Sequence, residues 1–140
     1  MKTINQRKIP IGVLFIASFY LFGALILLVN VFTNPAGVRE TIARAHGLSS
    51  IIGIEFVLLV AVFALALAYG LIRLLRWGFI LTLTYSLYIV LINLISFTGV
   101  FTSATSSGRI LFFGNFIFSV LVIVYLLFVR RSFFSIRERS

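Results

Sequence analysis

Polar side chains that could do chemistry are scarce in this chain, and Glu55 is the most informative of them. It lies about one turn inside the end of a long apolar run, where a carboxylate needs water, a hydrogen-bond partner or a proton. The other three long apolar runs each carry one asparagine towards the corresponding end, namely Asn30, Asn93 and Asn115. The sequence therefore predicts a polar layer in which all four runs bring a polar group to roughly one depth.

Several interpretations of this layer stay open. The amides and the carboxyl group could simply join neighbouring helices by hydrogen bonds, each worth about 0.6 kcal/mol, or Glu55 could reach the interface. Alternatively, Glu55 binds a cation, a proton or a polar ligand in a pocket that opens outward, or the layer is a contact between copies of the chain. Ser96 and Thr98 could enlarge a hydrogen-bonded network or a ligand pocket.

Catalysis and metal binding have little support in the sequence. The chain has no cysteine, and its single histidine, His46, has no partner nearby in sequence. Paired carboxylates are absent from the apolar runs, and the glycines are scattered instead of forming a phosphate-binding loop between a strand and a helix. We therefore expect no enzymatic activity, no cofactor and no metal site.

The composition indicates that these residues are carried by membrane-spanning elements. Of the 140 residues, 61% are hydrophobic and 11% are charged, whereas about a quarter of the residues in a soluble domain are charged. The net charge of +9 could suggest a nucleic acid, but the basic residues lie between apolar runs instead of clustering on a soluble surface. We therefore expect a lipid bilayer around the chain, and no nucleic acid.

Four apolar runs reach the length of about 20 residues that a helix needs to cross a bilayer. They cover residues 10–33, 51–72, 77–100 and 110–129, and they lack strand-like alternation. The sequence therefore predicts an all-α bundle of four transmembrane helices in a single domain, residues 1–140. The first run follows basic residues like a secretory signal, but it exceeds the roughly 7 to 15 residues of a signal core, so we expect a retained helix.

Basic residues are divided unequally between the two ends of these helices. Nine lie at the chain termini and in the link between the second and third spans, whereas Arg39, Arg44 and Arg109 lie in the other two links. Because loops rich in basic residues remain in the cytoplasm, this bias predicts that both termini are cytoplasmic.

The two outer links differ in their patterns. Asn34-Pro35 is a typical helix start, Val38 and Ile42 fall on one face, and Gly47 offers a stop, so we expect a short helix in the outer interface. Residues 102–108 are small and polar, which predicts a flexible turn.

Small residues mark the second span as the centre of the bundle. They are Ala61, Ala64, Ala66, Ala68 and Gly70. Small side chains let helix backbones approach closely, and lipid supplies little hydrophobic drive for association. A seam between two copies of the chain is the alternative interpretation.

Basic and aromatic side chains cluster at the inner link and at the start of the tail. They are Arg73, Arg76, Trp77, Arg130 and Arg131. Such side chains either bind the headgroups of anionic lipids or anchor the topology, and the sequence is compatible with both roles.

Three segments resemble those of small prokaryotic four-helix integral membrane proteins: Ile9-Pro10-Ile11-Gly12-Val13, the stretch from Gly70 to Gly78, and Tyr125-Leu126-Leu127. The resemblance implies the four-helix architecture and a prokaryotic plasma membrane, and it implies no activity. From the residues we expect a non-catalytic subunit or scaffold that packs with a membrane-protein partner, a second copy of the chain or lipid. The alternative is a small proton- or cation-linked transporter or channel that uses the polar site around Glu55.

Overall fold

The computed structural model describes residues 9–48, 52–103 and 106–134. This part of the chain is helical and forms α1 (Ile11–Thr33), α2 (Pro35–Ala45), α3 (Ile54–Ile72), α4 (Arg76–Ser103) and α5 (Ser106–Phe134). All except α2 are long and apolar enough to cross a membrane. The predicted all-α class is confirmed, and the four apolar helices are those of a multi-pass membrane protein.

The long helices run antiparallel to their neighbours. Gly70 of α3 meets Gly78 of α4 next to the turn between them, and the ring of Phe63 contacts that of Tyr85 further along the pair. The start of α1, the α3–α4 turn and the end of α5 therefore share one side of the bundle, which we call the terminal side. The opposite side, where α2 lies, is called the α2 side. That the terminal side faces the cytoplasm stays a prediction from the charge bias.

The apolar core consists of two clusters, one in each half of the bundle. The cluster nearer the terminal side draws buried side chains from all four long helices, including Ala17 of α1, Leu71 of α3 and Leu126 of α5. The cluster nearer the α2 side joins Val38 and Ile42 of α2 with residues of α1 and α3. The two halves are thus built from different sets of helices, and this difference shapes the surface described below.

α3 packs against α1, α2 and α4, and it shares this central position with α1, which packs against α2, α3 and α5. Ala61 and Ala68 are buried, and the backbones of Gly70 and Gly78 approach so closely that a Cβ on Gly78 would lie 2.5 Å from the carbonyl carbon of Gly70. The chain turns back between these glycines through Leu74, which has a positive φ of 51°. Close backbone contact of this kind fixes the register of α3 against α4.

Both outer links are more helical than a plain loop. Asn34 accepts a hydrogen bond from the Gly37 backbone N–H at the start of α2, and the chain leaves α2 through Gly47 with a φ of 66°. The predicted helix of the first link is therefore present, while its location in the membrane interface stays a prediction. The flexible turn predicted over residues 102–108 is wrong for most of its length, because α4 continues to Ser103 and α5 starts at Ser106.

Candidate functional site

Glu55 lies in the first turn of α3 with an exposed side chain. The positive end of a helix macrodipole favours a carboxylate at this position. Within the described residues, Glu55 has no hydrogen bond to another side chain, and this includes the side chains of Asn30, Asn93 and Asn115. The carboxylate of Glu55 thus lies at a helix start and is exposed on the surface of the bundle.

The three asparagines of the predicted layer do not hydrogen-bond to one another in the described structure. Nδ2 of Asn30 donates to the carbonyl of Ile26 at 2.9 Å, and Nδ2 of Asn93 donates to the carbonyl of Ile89 at 2.7 Å. Both partners belong to the same helix as the asparagine, one turn earlier. Asn115 is exposed on α5. Within the described residues, the structure therefore does not join the four members of the layer by hydrogen bonds.

Asn93 nevertheless has a defined environment between α4 and α5. It is buried, and it lines a small cavity of about 60 Å³ together with aromatic and aliphatic side chains. The other lining residues are Leu94, Phe97, Phe113 and Phe116. Asn93 thus lies at the contact between α4 and α5, while its amide donates within α4.

His46 has tertiary partners that the sequence did not reveal. Its side chain is buried just beyond α2, with Nδ1 at 2.9 Å from the Ile42 carbonyl and Nε2 at 3.2 Å from the hydroxyl of Tyr85. The hydroxyl of Tyr88 donates to the backbone carbonyl of His46 at 3.0 Å. The ring also contacts Phe56 of α3 at a centroid distance of 5.9 Å. These contacts tie the end of α2 to both α3 and α4.

The polar cluster around His46 continues towards α1. The ring of Tyr20 contacts the ring of Tyr85 at a centroid distance of 6.3 Å. Next to Tyr85 on α4, the hydroxyl of Ser86 is fully buried and interacts with the side chain of Tyr20 on α1. Because both ring nitrogens of His46 already face protein oxygens, the cluster acts as a structural connection between helices and offers no vacant imidazole nitrogen to a metal.

The contacts between α1 and α5 that the described residues show lie in the half nearer the terminal side. The backbone N–H of Gly12 donates to the hydroxyl of Tyr125 at 3.1 Å, and a Cβ on Gly12 would collide with the Tyr125 ring. Further along, Phe19 and Phe118 pack with their ring centroids 4.0 Å apart. These two contacts hold the helices together up to the level of the Phe19–Phe118 pair.

Beyond this pair, α1 and α5 present open space towards the α2 side. Gly23 lies one turn beyond Phe19 on the same helix face, and Gly114 lies one turn beyond Phe118 on its face. Apart from each glycine's chain neighbours and the nearby backbone of its own helix, no heavy atom of the described residues lies within 4 Å of the position that a Cβ would take on either glycine. We call this gap, bounded by Phe19, Gly23, Gly114 and Phe118, the α1–α5 cleft.

The position of α2 explains the cleft. In the half of the bundle near the α2 side, Val38 and Ile42 of α2 pack against α1 and α3, and His46 packs against α4. Among the described residues, α2 therefore packs in the half of the bundle where α5 contacts α4, as in the ring pair of Phe97 and Phe113. The sequence predicted α2 itself, but the gap depends on the tertiary packing of three other helices and leaves no local signal.

The predicted headgroup residues lie together on the terminal side. The side chains of Arg73, Arg76, Arg130 and Arg131 are exposed, and Trp77 is 41% exposed. The guanidinium carbon of Arg76 lies 5.7 Å from the centroid of the Phe134 ring, so the α3–α4 turn and the end of α5 are in contact.

Among the described residues, no group of three or more metal-ligating side chains is close enough to hold a metal ion.

Comparison with known proteins adds no further assignment. No family model, curated protein or solved structure matches the chain.

Proposed function

We propose that this chain is a non-catalytic, multi-pass subunit of a prokaryotic plasma membrane, and that a membrane-spanning helix of a partner protein packs into its α1–α5 cleft. The observation that carries the proposal is the open space at Gly23 and Gly114, one turn beyond the contact between Phe19 and Phe118. A helix placed there would complete, on the α2 side, the packing that α1 and α5 make with each other on the terminal side.

The two glycines favour a helix over lipid as the occupant. Helices in membranes associate where small residues let their backbones approach, because van der Waals packing and interhelical hydrogen bonds drive the contact. The cleft has a glycine on each wall at the same level. An occupying helix with small residues on its contact face could approach both walls.

The amide of Asn115 adds a requirement for polarity in the partner. It is exposed on α5 next to Gly114, and the described residues supply it with no hydrogen bond. Lipid tails can neither donate to nor accept from an amide, whereas a polar side chain on a neighbouring helix can do both. The partner helix should therefore carry one polar residue at the depth of Asn115.

A non-catalytic role agrees with how the buried polar groups are used. The amides of Asn30 and Asn93 donate to their own helices, and the ring of His46 lies between Ile42 and Tyr85. These groups are committed to protein atoms, which suits a scaffold better than a reacting centre.

The proposal is tested by filling the cleft. Gly23→Leu and Gly114→Leu should each release the partner, because the added side chains occupy its space. They should leave the melting temperature of the purified chain unchanged, because no described atom lies close to either position. Ser18→Leu is the matched control, since Ser18 is a small, exposed residue on a different face of α1. The readout is the mass of the complex extracted from the membranes of the source cells.

The expected result is that the wild type and Ser18→Leu run as a complex with another membrane-spanning protein, while both glycine variants run as the single chain. An unchanged complex in both glycine variants would overturn the proposal. A wild-type complex that contains two copies of this chain and no other protein would assign the cleft to self-association and equally contradict it.

A second function is favoured by one observation, the absence of a hydrogen bond from Glu55 to the described residues around it. An acid of this kind could bind a proton or a cation in a small transporter or channel. Four spans enclose little space for a path, so transport would require an oligomer. The Glu55→Gln variant in the Discussion separates this function from the scaffold.

A further inference from the structure

The terminal side carries a group of arginines from segments that are far apart in sequence. Arg73 and Arg76 flank the α3–α4 turn, whereas Arg130 and Arg131 lie near the end of α5. All four side chains are exposed. Tertiary packing therefore brings the two pairs together.

Aromatic packing brings the two arginine pairs together. Phe133 is fully buried and its ring lies 5.2 Å from that of Phe79, close to the start of α4. The next residue, Phe134, also contacts Phe79, and its ring faces the guanidinium of Arg76. Arg130 and Arg131 lie one helical turn before Phe134, and residues three and four apart are neighbours on a helix surface. The arginines of α5 thus border the same edge as Arg76.

This arginine group lacks nearby acidic partners among the described residues. The described acids are Glu40 and Glu55, both on the α2 side, and Glu40 is paired there with Arg44. Glu138 lies outside the described residues, between Arg137 and Arg139 in the sequence. The described acids therefore leave the positive charge at this end of the bundle available to an anion from outside the chain.

We infer that the edge formed by Arg76, Phe134 and Arg131, with Arg73 and Arg130 beside it, binds the phosphate of an anionic phospholipid. A guanidinium can donate two parallel hydrogen bonds to a phosphate while it interacts with an aromatic ring, and that of Arg76 lies over the ring of Phe134. Trp77, next to Arg76, has the amphipathic ring that is enriched at the level of lipid headgroups. The inference is independent of what occupies the α1–α5 cleft, because it concerns the opposite half of the molecule.

The experiment uses Trp77, which is the only tryptophan in the chain, as the reporter. The whole protein is reconstituted into phosphatidylcholine vesicles that contain a small fraction of a brominated lipid, either phosphatidylglycerol or phosphatidylcholine. Brominated chains quench tryptophan fluorescence at short range, so the ratio of the two quenching efficiencies measures the local preference for the anionic lipid.

The wild type should show quenching in favour of phosphatidylglycerol. Arg76→Gln and Arg131→Gln should each lower this preference about fivefold, since a basic residue near an anionic surface contributes about 1 kcal/mol. Arg39→Gln is the control, because it removes the same charge on the α2 side and should leave the preference unchanged. Arg76→Lys should lose part of the preference, since lysine keeps the charge but not the paired hydrogen bonds.

Three kinds of result would overturn the inference. The first is equal quenching by both lipids in the wild type. The second is an unchanged preference in the double variant Arg76→Gln/Arg131→Gln, or full retention in Arg76→Lys, because either leaves only the general attraction of a basic surface. The third is loss of the preference on addition of millimolar inorganic phosphate, which would assign the edge to a free anion and not to a lipid.

Discussion

The hydroxyl of Tyr85 lies 3.2 Å from Nε2 of His46, which comes 39 residues earlier in the chain. The other ring nitrogen, Nδ1, faces the carbonyl of Ile42, and a carbonyl can only accept a hydrogen bond. Nδ1 therefore carries the proton in the neutral ring, and Nε2 accepts from Tyr85. This contact connects α2, which is amphipathic, to the membrane-spanning helix α4.

Tyr85→Phe tests the strength of this connection. The variant keeps the ring but removes the donor, so Nε2 of the buried His46 loses its partner. An unsatisfied buried acceptor costs about 1 to 3 kcal/mol, and we expect the melting temperature in detergent to fall accordingly. Tyr69→Phe is the control, because Tyr69 is 57% exposed and should tolerate the same change. Equal melting temperatures for the two variants would show that the contact contributes nothing.

The sequence predicted the spans and α2 but not this contact, for a physical reason. Length, apolarity and helix starts are local properties. The local sequence therefore predicts the helix that ends at Thr33 and the helix start at Asn34-Pro35. The pairing of His46 with Tyr85 depends on how α2 packs between α3 and α4. The sequence around either residue does not indicate this pairing, although His46 is the single histidine of the chain.

Gly78→Ala tests the close packing of α3 against α4. Its Cβ would lie 2.5 Å from the backbone of Gly70, which cannot move aside as a flexible side chain would. Overfilling a tight contact costs about 1 to 3 kcal/mol, so thermal unfolding should occur at a lower temperature than in the wild type. Gly114→Ala should show no such loss, because its Cβ meets open space. Similar stability for both variants would contradict the register described for α3 and α4.

The orientation of the bundle is tested with single cysteines, which the natural sequence lacks. The charge bias predicts that both termini are cytoplasmic. In intact cells, an impermeant maleimide should therefore label the variant Ser106→Cys and fail to label Ser140→Cys until the membrane is opened. Labelling of Ser140→Cys alone in intact cells would reverse the orientation.

Glu55→Gln separates a scaffold from a transporter. The amide keeps the size of the side chain but can no longer carry the charge, and the described structure gives Glu55 no side-chain partner to lose. The scaffold account predicts that the complex in the membrane and the melting temperature stay as in the wild type. A proton or cation flux in reconstituted vesicles that the wild type supports and Glu55→Gln abolishes would instead support transport.

The polar layer shows that a shared depth in the membrane does not predict contacts between side chains. Topology placed Glu55, Asn30, Asn93 and Asn115 towards the same end of their helices, but depth says nothing about the direction in which a side chain points. Asn93 faces the cavity beside α5, whereas Asn115 is exposed. The α1–α5 cleft had no signal either, since a glycine in an apolar helix looks the same in a tight contact, such as Gly78, and in open space, such as Gly114.

The central claim, that a partner helix occupies the α1–α5 cleft, is tested most directly by a photo-reactive benzoylphenylalanine in place of Phe19, activated in the membranes of the source cells. Phe19 is 52% exposed and borders the cleft, and the exchange of one aromatic side chain for another leaves the space at the two glycines open. The control position is Ile95, which is 77% exposed on α4 and lies on the face away from Asn93 and Phe97. We predict that the probe at Phe19 forms an adduct with another membrane-spanning protein, that the probe at Ile95 does not, and that Asn115→Leu reduces the yield of the adduct. Adducts with lipid only, or the same protein adducts from both positions, would contradict the claim.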